Sequence, residues 1–275
     1  MTTSEERFQK GAEMRARLAG GQGRVFRGSV PDAYDLAPDM YRISTECLYG
    51  SIWSRPGLDV KHRIMATLTA ATVLRADRQV LRAQIRNALN IGVMPEEIVE
   101  ILMMSAFYGG IPAAYIALAV TKEIFEDRGI DFNPPQLFDP TVEPEALYER
   151  GIAKHRELIP DVFGYYTVEP TQEEHELDVL MQEYLWGAIW TRPGLDTKSR
   201  IICTLAAQVA QGRYDQFIRR MVEGALRNGI TRTEIMELFM HLVFYVGVLP
   251  ARSAMNIANT VFRSPEFSTL RAPGR

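Results

Sequence analysis

The side chains best suited to chemistry come in matched pairs, 137 residues apart. Tyr108 and Tyr245 could each donate to a carboxylate or an enolate oxygen, or serve as core aromatics with satisfied hydroxyls. Arg55 and Arg192 each sit in a Trp-x-Arg-Pro-Gly-Leu turn, two residues after Trp53 and Trp190. A guanidinium there can clamp a carboxylate at a pocket mouth, or hold the turn by bonding its carbonyls. Glu46 and Glu183 precede those turns, and Arg63 and Arg200 follow them. A buried glutamate with a raised pKa would be a proton donor. The competing reading is a structural Glu–Arg pair across two helices.

Histidine and cysteine are sparse. His62 and His155 lie in charged stretches and read as exposed, and His175 lies in the acidic run Gln172–Glu176, a solvated helix start. His241 differs, because Met240-His241-Leu242-Val243-Phe244-Tyr245 is an apolar helix. It reads as a proton-transfer group or as a satisfied core imidazole. Cys47 and Cys203 form no CxxC pair and do not correspond between the two halves. Cys47 would be a nucleophile only if its surroundings lowered its pKa, and is otherwise a small buried hydrophobe. With no His-x-x-x-His, Gly-rich phosphate loop or Asp-x-Asp motif, metal and nucleotide sites are unsupported.

The elements that must position these residues are duplicated. Trp53-Ser54-Arg55-Pro56-Gly57-Leu58-Asp59-Val60-Lys61 returns as Trp190-Thr191-Arg192-Pro193-Gly194-Leu195-Asp196-Thr197-Lys198. About 26 of some 62 positions from Tyr49 to Gly110 are identical at this offset, far beyond chance. A weaker echo precedes each copy, Phe8-Gln9-Lys10-Gly11 against Tyr148-Glu149-Arg150-Gly151. The periodicity is helical: Leu81, Ile85, Ala88 and Leu89 share a face, with Asp77 placed to cap the start and Gly92 the end. Pro95-Glu96-Glu97 suits a first helical turn, and Asp59 and Asp196 are placed to cap the helices after each turn. Residues 62–74 are apolar nearly all round and belong at the centre. The fold class is all-α, a tandem duplication with about six helices per repeat. The expected boundaries are repeat 1 at 1–128, a Pro-rich linker at 129–145, repeat 2 at 146–264, and a short polar tail at 265–275 that should fray.

Taken in order, the Trp-x-Arg-Pro-Gly-Leu turn, the Ala-Leu-x-x-Gly-(Val/Ile) helix end, the Glu-Ile-x-Glu helix and the Tyr-x-Gly-x-Pro-Ala ending resemble the gamma-carboxymuconolactone decarboxylases and, more distantly, alkylhydroperoxidase D-like proteins. The resemblance implies an all-helical alkylhydroperoxidase D-like module that assembles in rings of six, so that three copies of a two-repeat chain would make a pseudo-hexamer, a homotrimer. It also implies loss of CO2 from a small unsaturated lactone acid without metal or organic cofactor, by carboxylate binding and proton transfer. Two departures stand out. The family's histidine in a Leu-x-x-His pattern corresponds to Gln84 and Met221, neither of which exchanges a proton near neutral pH. The histidine before the Trp-Gly-x-x-Trp segment is also missing. Peroxidase chemistry needs a CxxC pair where Asp77-x-x-Val80 and Tyr214-x-x-Phe217 stand, and is disfavoured.

The resulting expectation is a cofactor-free lyase acting on a small carboxylated lactone or a keto/enol acid. His241, Glu183, Tyr245 and Tyr108 are its candidate catalytic groups; Arg55, Arg192, Trp53, Trp190, Gln84 and Met221 would line the substrate. An isomerase or cyclase with an enol intermediate, or a binding scaffold stripped of histidines, are the alternatives. A net charge of −3 and a pI near 5.9 argue against a nucleic-acid or membrane partner. A polar N-terminus and two unpaired cysteines point to a cytoplasmic protein.

Overall fold

The computed structural model describes residues 3–21, 33–212 and 214–268. Repeat 1 comprises α1 (Ser4–Leu18), the one-turn α2 (Ala33–Leu36), α3 (Pro38–Ile43), α4 (Val60–Val73), α5 (Arg78–Ile91), α6 (Pro95–Gly109) and α7 (Ile111–Asp127). Repeat 2 comprises α8 (Pro144–Leu158), α9 (Gln172–Leu180), α10 (Thr197–Gln211), α11 (Asp215–Arg227), α12 (Arg232–Val246) and α13 (Val248–Phe262). In both, the helix before the Arg-Pro-Gly-Leu turn widens into a π-helical segment, Ser44–Trp53 after α3 and Met181–Ile189 after α9. No strand occurs among the described residues. Counting each π segment with the helix it extends, repeat 2 has six helices, and repeat 1 has six plus the short α2.

Local chemistry sets the helix ends. Asp59 accepts from the Lys61 amide and Asp196 from the Ser199 amide, so both central helices carry a side-chain N-cap. Asp77 caps α5 through the Gln79 amide, and Gly92 closes it in the left-handed region at φ +89°. Such caps are each worth about 1 kcal/mol. The Gly11/Gly151 echo has a steric cause. A methyl group on Gly11 would overlap the Thr45 carbonyl, and one on Gly151 the Gln182 carbonyl. Gly50 and Gly187 meet the Arg7 and Leu147 carbonyls in the same way. Each leading helix therefore crosses its π segment backbone to backbone, which only glycine permits.

The apolar residues 62–74 do lie at the centre. Helices α4 and α10 pack on each other, with α6 and α12 reaching across to the central helix of the opposite repeat. Ile64, Ala66, Leu68 and Ala70 of α4 and Ile201, Leu205, Ala206 and Ala207 of α10 are all fully buried. Between the repeats, residues 130–143 carry no helix. Phe132 of this stretch lies edge-on to Phe125 of α7 at 5.6 Å, and Phe138 stacks at 6.5 Å on Tyr184 of the second π segment. The tail corrects the expectation of fraying, at least over 265–268. Arg227 grips the Glu266 carboxylate with two bonds of 2.8 and 2.9 Å, and Phe267 is buried beneath the same guanidinium. Residues 269–275 lie outside the described residues.

Candidate active site

Two clusters of recurring residues form where the repeats meet, and each draws on both. In one, Arg55, Arg63 and Thr67 of repeat 1 face Glu237, His241 and Tyr245 of repeat 2. In the other, Arg192, Arg200 and Thr204 face Glu100, Met104 and Tyr108. Arg55 Nε donates to Glu237 Oε1 at 2.7 Å and Arg63 Nη2 to Glu237 Oε2 at 2.7 Å. Arg192 Nε donates to Glu100 Oε1 at 2.7 Å and Arg200 Nη2 to Glu100 Oε2 at 3.1 Å. The turn carbonyls of Leu58 and Arg55 accept from Arg63, and those of Leu195 and Arg192 from Arg200. Arg55 and Arg192 are thus engaged by protein carboxylates. The expected Glu46–Arg63 and Glu183–Arg200 pairs do not form: Arg63 and Arg200 point across the repeat boundary instead. Glu46 bonds Arg42 and Ser4, while Glu183 is buried on its π segment.

His241 is fully buried, edge-on to Trp53 at 4.8 Å. Its Nε2 lies 2.8 Å from Thr67 Oγ1, and that hydroxyl donates to the Arg63 carbonyl. With the Thr67 proton on that carbonyl, the ring proton belongs on Nε2, and Nδ1 has no partner. Burial and then the neighbouring Arg63 hold this imidazole well below its usual pKa, so it is neutral. Tyr245 accepts from Trp53 Nε1 at 2.8 Å. Its counterpart Tyr108 lies beside Thr204 and Trp190, and burial pushes its phenol up to about 12.

An open cavity of about 660 Å³ lies in repeat 2, with Tyr108 of repeat 1 forming part of its wall. His155, Gln182 and Trp186 contribute from α8 and the π segment, and Arg220 and Met221 from α11. His155 was expected to be exposed; it is 7% exposed, stacked flat on Trp186 at 3.8 Å, with Nδ1 at 3.2 Å from Gln182 Oε1. Burial pulls its pKa down to about 4, against the opposing bond from Gln182. Trp186 in turn stacks on Trp190 at 4.7 Å, which couples the cavity wall to the Arg-Pro-Gly-Leu turn. Asp178 accepts from Tyr165 and, at 2.7 Å, from Tyr166. Arg220 donates to the Asp161 carbonyl, but its nearest carboxylate oxygen, on Asp161, is 4.0 Å away. It is the arginine on this wall, and its one carboxylate partner among the described residues sits at the 4.0 Å edge of ion-pair range on an 80% exposed side chain. Tyr214, at the N-cap of α11, has a left-handed backbone at φ +76°, a cost of about 1–2 kcal/mol for a bulky residue. Its counterpart Asp77 caps α5 without that strain.

The corresponding place in repeat 1 is built differently. Arg15 stands where His155 does, donates to Thr45 Oγ1 at 3.3 Å, and lies 4.8 Å from the ring centroids of both Tyr41 and Tyr49. Tyr41, Thr45 and Tyr49 occupy the positions of Asp178, Gln182 and Trp186.

The sequence profile of the carboxymuconolactone decarboxylase family matches this chain twice, over residues 38–123 and 176–260. The chain belongs to the carboxymuconolactone decarboxylase family. Among curated proteins it is similar to the 4-carboxymuconolactone decarboxylase of Acinetobacter baylyi, with 31% identity over 120 residues, 43% of this chain and 89% of the relative. It is similar also to the nitrosuccinic acid decarboxylase of Metarhizium robertsii, with 37% identity over 120 residues, 40% of this chain and 76% of the relative. Each relative matches about one repeat's length, in keeping with a doubled member of the family.

Of the residues singled out from the sequence, Tyr108 and Met221 line the cavity and Trp190 backs it. Trp53, His241 and Tyr245 gather in the other cluster, and Gln84 is half-buried on α5. Cys47 is exposed, which corrects its reading as a buried hydrophobe, and burial pushes the Cys203 thiol up to about 12. Gln182, Asp178, Tyr165, Tyr166 and Arg220 escaped the sequence reading, and His155 was weighed there only as an exposed histidine. One signal for His155 was present: with Leu147, Gly151, Ile152 and Leu158 it falls on the buried stripe of α8. No group of three or more metal-ligating side chains occurs among the described residues. No helix among them is long and apolar enough to cross a membrane.

Proposed function

We propose that the chain is a cofactor-independent decarboxylase of small organic acids, with its site in the repeat 2 cavity. The observation that carries this reading is an incompletely neutralised Arg220 on the wall of a mostly apolar chamber that also holds His155 and Tyr108. Arg220 anchors a substrate carboxylate. The apolar walls favour loss of CO2, because the charge spreads from a compact carboxylate into a delocalised enolate. As the C–C bond breaks, its electron pair moves into the adjacent carbonyl or conjugated system. Tyr108, still protonated at neutral pH, donates to the developing oxyanion, and a solvent water held by the neutral His155 ring protonates the carbon, its hydroxide being taken up by the released CO2. The role read from the sequence for His241 passes here to His155, since His155 lines the cavity whereas His241 is fully buried away from it.

A panel of unsaturated lactone acids and β-keto acids, followed by CO2 release, tests the reading. Turnover of at least one is expected, with Arg220→Gln or His155→Gln lowering kcat/KM by about a hundredfold or more. No release from any acid by a folded protein overturns it. We propose further that three copies assemble as a pseudo-hexamer. Ile111 and Tyr115 at the start of α7, and Val248 and Leu249 at the start of α13, are exposed apolar residues at the matching ends of the two repeats. Light scattering should give three times the 31.1 kDa chain mass; a monomer would exclude it.

A further inference from the structure

The cavity is furnished for more than a small lactone acid. Its volume of about 660 Å³ lies in the middle of the range that holds drug-sized ligands. Its wall facing α11 is a continuous aromatic surface. Tyr165 lies 4.6 Å from Tyr166 and 4.9 Å from Phe217, and Phe217 meets Tyr214 edge-on at 6.3 Å. On another wall the His155–Trp186 stack supplies a second flat face. Phe217 and Tyr214 are 42% and 65% exposed, so these rings are not consumed by the core. Arg220, at 5.9 Å from the Tyr165 ring, puts one positive charge beside this surface.

The first repeat offers an internal comparison. Where repeat 2 has Tyr214 and Phe217, repeat 1 has Asp77 and Val80. Asp77 does ordinary helix-capping work there. Repeat 2 gives up that cap and holds an aromatic residue in a left-handed backbone at the cavity. A strained position that a relaxed alternative could fill points to a ligand-facing role.

Resting on the decarboxylase reading of this same cavity, we propose that its substrate is an aryl-bearing acid: a flat, conjugated ring system held between the aromatic walls, with one carboxylate on Arg220 and the carboxylate that leaves attached beside a carbonyl or conjugated acceptor able to take the electron pair. Aromatic rings favour offset-stacked and edge-to-face partners over saturated rings of equal size. Arg is suited to accept a single planar carboxylate.

Binding of 2-naphthoate and of decahydro-2-naphthoate, two acids of the same charge and the same ring-carbon count, separates the alternatives. Titration calorimetry on the full chain measures affinity, and Trp186 beside the cavity supplies a fluorescence readout. Naphthoate should bind at least tenfold tighter than decahydro-2-naphthoate, and Phe217→Leu should shrink that ratio several-fold without lowering Tm appreciably. Arg220→Gln should weaken both acids alike. Equal affinities, tighter binding of the saturated acid, or no binding of naphthoate overturns the aryl assignment, whatever the CO2 assay reports. Tight naphthoate binding with no decarboxylation of any acid leaves the aryl site standing and removes the reaction proposed for it.

Discussion

At the scale of single residues, His155 shows how packing decides what an imidazole can do. In an unfolded chain its pKa would lie near 6.5, and in the folded cavity it is about 4. Between these values the unfolded state binds a proton that the folded state refuses. Stability is therefore complete above about pH 6.5 and declines as pH falls towards 4, at up to about 1.4 kcal/mol per pH unit. His241 acts in the same direction, since burial and Arg63 hold it well below its usual value. Urea unfolding of His155→Gln should show a shallower loss of stability between pH 6.5 and 4 than the parent; an unchanged slope would mean that the ring is not buried in solution. Glu237 loses its contribution in the same direction for a different reason. Burial pushes its carboxyl up, but bonds from Arg55 and Arg63 outweigh that and leave it below its usual range. Its contribution is present above about pH 4.5 and is lost only as pH drops through the lowered value. Residue types alone could not reveal His155, because its neighbours Lys154, Arg156 and Glu157 are charged. Only its place on the apolar stripe of α8 separated it from them.

At the scale of elements, most of the architecture was readable. The caps at Asp59, Asp77 and Asp196, the left-handed Gly92 and the burial of residues 62–74 follow from local rules of spacing and propensity. The π-helical segments did not, since nothing in an apolar 3.6-residue pattern distinguishes a widened helix until its packing partner is known. That partner is the glycine of the leading helix. Gly151→Ala should cost about 2–3 kcal/mol or more, because the new methyl would strike the Gln182 carbonyl, a backbone atom that cannot step aside. Asp196→Ala, which only removes a cap, should cost about 1 kcal/mol. Chemical denaturation of the two variants side by side checks the ranking, and equal costs would deny the close crossing. The same crossing carries function, for it seats His155, one turn after Gly151, against Gln182 and Trp186.

At the scale of the whole molecule, duplication was evident from sequence, whereas the division of labour between copies was not. Both the cavity wall and the ion clusters mix residues from the two repeats, and such pairings have no signature at a fixed offset along one chain. The Arg15 packing in repeat 1, set against the open His155 chamber of repeat 2, predicts one bound acid per chain. Calorimetric stoichiometry near one is expected; a value near two would show both copies to be competent. The acids at the boundary are equally testable. Glu100 serves Arg192 and Arg200, with Arg200 almost wholly buried, so Glu100→Gln should cost about 3–5 kcal/mol. Glu237→Gln should cost somewhat less: it strands Arg63 as Glu100→Gln strands Arg200, but its second partner Arg55 is 43% exposed where Arg192 is 9%, so water can take over that charge.

The crosswise exchange of carboxylates has a mechanical corollary. Each half keeps its arginines but relies on the other for their counter-charge, so the covalent tether through residues 130–143 is not what fastens the halves together. It raises the effective concentration of one half around the other, and the seam itself does the holding. A protease cut near Gln136, in an exposed stretch, should yield two fragments on a denaturing gel that still travel as a single species through a sizing column.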